Sequence, residues 1–335
     1  MGRRGLALIA AAGLLTFVAS GCTSQKTGSG GQPADGGKIK VGLVTKTDSN
    51  PYFVALRDSA KDEAGKSGAE LIALAGKFDG DNEGQVAAIE NLVQQGAKTI
   101  LITPSNSTGI LGAIKNARDK GVLVIALDTE TDPKDAVDAT YATDNTEAGR
   151  LQGSYVKAAL GPKPPKFIML DGTPGSTVSE QRHNGFLQGI GVKAGDPAIL
   201  GAEATNGEQN KAQQVTENLL QRDTSLTAVY TLNEPAGRGA YVALQAKGIA
   251  GNVVIGSIDG SCQGVTDVKD GKVAVTVMQF PKKMAAQGVQ AAVEFSKSGK
   301  KPSGFINTGV AVITDKPLAG IQSQDTAWGL QNCWG

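Results

Sequence analysis

From Lys38 to the C-terminus, short runs of β-branched residues and leucine alternate with stretches of helical periodicity, and this alternation constrains the chain more than any other feature. A strand period followed by a 3.6-residue period, repeated, is the pattern of βα units wrapped around a parallel sheet. Val41-Gly42-Leu43-Val44 reads as a buried strand, and Asn50-Pro51 then caps and opens a helix running toward Ser67-Gly68. Strands are expected near Leu71–Leu74, Thr99–Ile102 and Val122–Leu127. The helices between them carry Val86, Ile89 and Val93, then Ile110, Ile114 and Ala117, each set on one face. The rhythm restarts after Asp144-Asn145 with a helix through Ala148, Leu151 and Tyr155, and strands follow at Phe167–Leu170, Ala228–Tyr230 and Val253–Ile255. A chain of 335 residues exceeds what one hydrophobic core serves, so two α/β lobes with parallel sheets are expected. Gly161–Pro165 lies within the rhythm and reads as a surface loop, not a linker.

The N-terminus follows a different rule. Arg3 and Arg4 precede an apolar stretch from Leu6 to Val18 that is too short to span a bilayer. Ala19-Ser20-Gly21-Cys22 follows and resembles the lipobox of bacterial lipoproteins, with Ala19 where Leu or Val is usual. Residues 1–22 thus read as a signal peptide ending at a lipidated Cys22, and residues 23–37, rich in Gly, Ser, Thr and Gln, as a flexible tether. Ordinary secretion with an unmodified Cys22 is the alternative; either one sends the chain out of the cytoplasm. There, Cys262 and Cys333 are either bridged or two separately buried thiols. Lys plus Arg total 33 against 32 Asp plus Glu, which leaves no charge excess to neutralise a phosphate backbone and argues against a nucleic-acid partner.

In open parallel sheets, ligands bind beyond the carboxyl ends of the strands. Walking those ends gives Lys46, Asp48 and Asn50, then Thr103, Asp128, Asn233, Asp259 and Gln279. Carboxylates and amides suit a polyhydroxylated ligand, and Tyr52 and Phe53 could cover the apolar C–H face of a sugar ring. Singly, each of these residues could equally be a cap, a loop polar group or core. Catalysis finds little support. His183 is the only histidine, and no triad or metal-ligand spacing can be assembled around it. The Gly172-Thr173-Pro174-Gly175-Ser176 loop follows a strand but lacks both the dinucleotide and the P-loop patterns, so no cofactor is expected.

Several segments carry a family resemblance: Leu43–Val54, Val124–Thr129, Ala142-Thr143-Asp144-Asn145, Tyr230–Ala236 and the terminal Cys333-Trp334-Gly335. In these the chain resembles the ribose- and galactose-type periplasmic binding proteins over Lys38 to Gly335. The resemblance implies two Rossmann-like lobes, residues 38–143 plus 280–309 and residues 144–279 plus 310–335. They would be joined by crossovers near Thr143-Asp144, Gln279-Phe280 and Val310, with Thr143 and Asp144 at the hinge. It implies a monomer that captures a monosaccharide between the lobes and delivers it to the membrane permease of an ABC importer. Asn50, Tyr52, Phe53 and Asp128 would come from one lobe, and Arg182, Asn233, Asp259 and Gln279 from the other or the hinge. Lys46, Asp48 and Thr129 complete the implied ligand set; Lys46 and Thr129 depart from the ribose-type pattern, as does the region near Gly207, where an aromatic wall is missing and Asn206 and Glu208 stand beside the gap. Thr45-Lys46-Thr47-Asp48, Gly260-Ser261-Cys262 and the Cys-Trp-Gly end are instead similar to the fructose-binding branch, whose two cysteines occupy similar places. Two rivals remain. A sugar-responsive regulator would need an N-terminal helix-turn-helix, and a sugar-modifying enzyme would use a pair such as Asp128 and Asp259 as acid and base.

Overall fold

The computed structural model describes residues 38–335, so the segments expected to be a signal peptide ending at Cys22 and a tether lie outside the described residues. Five strands, β1 (Lys40–Thr45), β2 (Glu70–Ala75), β3 (Thr99–Ile102), β4 (Leu123–Leu127) and β5 (Ala139–Ala142), build most of a first sheet. Helices α1 (Pro51–Lys66), α2 (Asn82–Gln94) and α3 (Leu111–Asp119) connect the first four. The chain then passes through α4 (Asn145–Leu160) into a second run: β6 (Phe167–Asp171), α5 (Thr177–Ile190), β7 (Ile199–Ala204), α6 (Gln209–Leu220), β8 (Ala228–Thr231), α7 (Glu234–Ala246), β9 (Val254–Asp259), α8 (Cys262–Lys269) and β10 (Val275–Met278). Helix α9 (Pro281–Ser298) and β11 (Gly304–Asn307) return to the first sheet, and β12 (Ala311–Ile313) and α10 (Thr326–Asn332) cross back to the second.

The strand orders are β11-β5-β4-β3-β1-β2 and β12-β10-β9-β8-β6-β7. Every pairing is parallel except β10 with β12. Sheets covered on both faces need apolar residues at consecutive positions, and β3, β4 and β8 are buried at every residue. Helices α1 and α9 cover one face of the first sheet, through Leu56, Ala60, Val289 and Ala292. Helices α2 and α3 cover the other, through Ile89, Leu92 and Ile114. The fold is thus α/β with two mostly parallel sheets and three crossings between them.

Two local features aim side chains toward the carboxyl ends of the sheets. Asn50 caps α1, its Oδ1 accepting from Tyr52 N at 3.0 Å, and this turns Tyr52 and Phe53 inward on the first turn. Helices α4 and α5 meet through Gly149, Gly153, Gly185 and Gly189, where a methyl on any one would strike a backbone carbonyl of the opposite helix. That close approach sets α5, and with it Arg182, deep against the second sheet.

Candidate functional site

Loops at the carboxyl ends of both sheets face each other and touch. Ser107, in the loop after β3, receives a bond from Thr177 N at 3.0 Å and donates to Glu130 O at 2.7 Å. Ser107 N donates to Gly175 O at 2.9 Å, and Gln181 Nε2 to Glu130 Oε2 at 2.6 Å. The glycine-bearing Gly172–Ser176 loop, which lacks a phosphate-binding pattern, therefore serves as a contact between the two halves.

Between these halves lies a cavity of about 40 Å³. From the first half it is lined by Lys46, Asn50, Tyr52, Phe53, Asp79 and Asp128, and from the second by Val178, Arg182, Leu232, Asn233, Asp259 and Gln279. Of the eleven residues of the implied ligand set, nine are in that wall, whereas Thr103, the remaining strand-end candidate, is buried outside it with its hydroxyl donating to Val44 O. Asp48 is not in the wall: it sits exposed on the outside of the turn, because Thr47 takes the inner position and accepts from Asn50 N at 3.1 Å. Thr129 is not in the wall either. It is fully buried behind the cavity, and its hydroxyl donates to Asp128 Oδ2 at 2.8 Å, so it orients that carboxylate. Of the pair expected at the hinge, Thr143 Oγ1 donates to Gln279 Oε1 at 3.0 Å and joins two crossovers, while Asp144 caps α4 by accepting from Glu147 N.

Sequence reasoning missed Asp79, Val178 and Leu232. Asp79 lies four residues beyond the end of β2, so a rule that inspects strand ends passes over it. Its Oδ1 is buried without a hydrogen-bond partner among the described residues. Burial raises its carboxyl above the ordinary range, and nearby Lys46 opposes the rise.

Arg182 is the electrostatic centre. Its Nε donates to Asn145 Oδ1 at 2.8 Å and Nη1 to Leu232 O at 2.9 Å, with Asp259 Oδ1 at 3.9 Å. Its Nη2 is buried with no partner among the described residues. Asp259 also accepts from Gln279 Nε2 at 2.9 Å. Asp128 and Asp259 both have positive φ, 65° and 151°, conformations that L-residues seldom adopt and that cluster where a site fixes them. Behind Tyr52, the ring of Trp334 packs edge-on at 5.4 Å, and its indole N–H donates to Asp259 O at 3.1 Å. The Cα atoms of Cys262 and Cys333 are 4.9 Å apart, within disulfide reach. His183 pairs with Asp171 at 2.9 Å, and that bond raises its pKa.

Glu234, enclosed behind the cavity, accepts from Gly260 N at 2.8 Å, Ser261 N at 3.2 Å, Thr276 Oγ1 at 2.8 Å and the Ser261 hydroxyl. Burial, and then repulsion from Asp259, push its carboxyl up to about 8. Burial likewise pushes Asp259 up to about 6, with Arg182 opposing and Asp128 adding to the rise. Both folded values exceed the unfolded ones, so the folded chain holds more protons, and the associated stability is lost as pH rises through 6 and then 8. Unfolding free energy measured in urea should therefore fall between pH 5 and pH 8.5, and Glu234→Gln should flatten the upper part. A profile level across that range would refute this assignment.

The chain matches the family described as "Periplasmic binding protein domain" over residues 41–301. It is 33% identical over 263 residues to the ribose import binding protein of Salmonella typhimurium, covering 78% of this chain and 86% of that one. It is 28% identical over 264 residues to the D-allose-binding periplasmic protein of Escherichia coli, covering 77% and 85%. Among solved structures it resembles an ABC transporter solute-binding protein from Actinobacillus succinogenes with bound D-allose, with TM-score 0.75 and 27% identity over 83% of this chain and 98% of that one.

Proposed function

The chain belongs to the periplasmic binding proteins, and on that premise we propose that it captures a monosaccharide, fructose before others, and hands it to an ABC importer's permease. The observation that carries this is the convergence of Asp128 and Asn50 from one sheet with Arg182, Asp259, Asn233 and Gln279 from the other on one cavity. Acceptors and donors from opposite sides meet the hydroxyls of one ring, while Tyr52 and Phe53 cover its apolar face. A cavity of about 40 Å³ lies far below the roughly 300 Å³ of small-molecule pockets, so the halves must part to admit a sugar. The polar contacts that the loops make across the gap contribute about 1 kcal/mol each and can be exchanged for contacts with water. A bound sugar bridges both halves and shifts the population toward closure, and the permease reads the closed face. Fructose rests on the likeness of Thr45–Asp48, Gly260–Cys262 and the Cys-Trp-Gly end to the fructose-binding branch; ribose and allose are the alternatives that the relatives' names raise.

We further infer that Cys22 carries a lipid that holds the protein at the outer face of the membrane, the motive being the Ala19–Cys22 motif. A mature mass lacking the acyl chains would count against it.

A thermal-shift screen of ketoses, aldoses and polyols tests the capture reading. A sugar at a hundredfold its Kd should add about 2.7 kcal/mol of stability, and fructose should give the largest shift. If another sugar shifts the transition and fructose does not, the fructose assignment fails and the capture role stands. If no sugar shifts it, the role itself fails.

A further inference from the structure

The gap between the halves continues outward from the inner cavity into a second, larger one of about 620 Å³. Asn50 and Asp79 line both. Its size falls within the roughly 300–1,000 Å³ of small-molecule sites, which the inner cavity does not reach. The backbone explains how the two come to adjoin. Gly207 has φ +70°, and Asn233 Nδ2 donates to its carbonyl at 3.2 Å. A Cβ at position 207 would stand 2.6 Å from that same nitrogen, so no side chain at 207 can divide the two cavities.

The outer wall has the composition of a carbohydrate subsite. Phe78 is 56% exposed on its lip, a large ring that contributes nothing to a core and offers a face to a sugar's C–H surface. Asn206, Asn210 and Glu208 supply amide and carboxylate partners from the opposite half. The buried, unpartnered Asp79 Oδ1 sits where one ring would pass into the next. Arg238 is already paired with Asp267 at 3.2 Å, and Lys77 stands in the same lining as Asp79 and Glu208, so the wall offers no concentrated positive charge for an anion.

We propose that, beyond the monosaccharide, the site also takes a two-unit carbohydrate, a disaccharide or glycoside, with one ring in the inner cavity and the second against Phe78, Asn206 and Asn210. This rests on the capture reading and extends it to the ligand's size. Titration calorimetry on the purified protein would compare fructose with sucrose, lactulose and isomaltulose, which join a hexose to fructose through different carbons. At least one disaccharide should bind tenfold or more tightly than fructose. Phe78→Ala should erase that advantage while fructose affinity changes less than twofold, and Asn210→Ala should reduce it. The inference is overturned, with the capture reading intact, if all three disaccharides bind more weakly than fructose, or if the advantage survives both substitutions. If neither fructose nor any disaccharide binds while another monosaccharide does, the outer subsite is likewise overturned. If no sugar of either size binds, the capture reading falls and takes this inference with it.

Discussion

Arg182→Met is expected to abolish sugar binding and to lower folding stability by about 3–5 kcal/mol, because it deletes one partner of a buried charge cluster and leaves the other enclosed. Arg182 is only 3% exposed and stands within 3.9 Å of Asp259, which in turn lies beside Glu234. Without the guanidinium, two buried carboxyls face each other with no cation from α5. Asn145 Oδ1 and Leu232 O also lose their donor. Binding suffers for a separate reason. Nη2 is the group in this cluster with no partner among the described residues, and it belongs to a side chain in the cavity wall. A hydrogen bond from a charged donor to a ligand hydroxyl contributes about 1.5–3 kcal/mol, roughly ten- to a hundredfold in affinity, before the disordering of Asp259 is counted. Arg182→Lys separates the two effects. It restores the charge but not the planar fork, so it should recover most of the stability and little of the binding. Denaturant unfolding and calorimetric titration of both variants give the answer, and an Arg182→Met protein that binds sugar within threefold of the parent would remove Arg182 from the site.

Much of this arrangement is legible in the sequence because parallel strands buried on both faces leave an apolar imprint that ends abruptly. Asp128, Asp259 and Gln279 each stand directly after such a run, so their convergence follows from strand order alone. Strand β5 escapes although every residue of it is buried, because Thr140 and Tyr141 interrupt the aliphatic run; the other missed strands lack the imprint. Strands β7 and β11 are edge strands with no fully buried residue, and β12 has only three residues, so none shows the continuous apolar run of a central strand. Asp79 escapes because a loop of several residues separates it from its strand. Asp48 is expected in the wall from its place after β1, and Thr129 from its place in the family pattern beside Asp128. A one-residue step along a turn reverses which side chain faces in, and only the hydrogen bonds of Thr47 and Asp128 settle the direction. The glycine seam of α4 and α5 is visible as composition but not as contact, since close approach depends on which faces meet.

The second large effect concerns the C-terminal tail. We propose that Cys262 and Cys333 are bridged, closing a loop with a sequence separation of 71, and that Cys262→Ser with Cys333→Ser costs about 4 kcal/mol of stability. In the chain-entropy account a long loop gains most from closure, because its ends are otherwise far apart in the unfolded ensemble. The bridge has a local consequence too. Cys262 N donates to Trp334 O at 3.0 Å, and Ser261 pairs with Trp334 as an isolated β-bridge, so the tail is bound to the turn that follows Asp259. Trp334 is thereby held against Tyr52, which belongs to the other half of the molecule, and its indole N–H fixes the Asp259 carbonyl. Releasing the tail should free the Tyr52 ring and loosen Asp259 without touching Arg182. Sugar affinity should fall by about tenfold, a smaller loss than Arg182→Met produces, and tryptophan emission should shift to the red as the indole, 2% exposed in the folded protein, meets water. Trp334→Phe, with the cysteines intact, should reproduce part of the affinity loss with little of the stability loss. Thiol counting on the unreduced protein decides the premise: reactive thiols at both Cys262 and Cys333 would show that the tail is held by packing and hydrogen bonds alone.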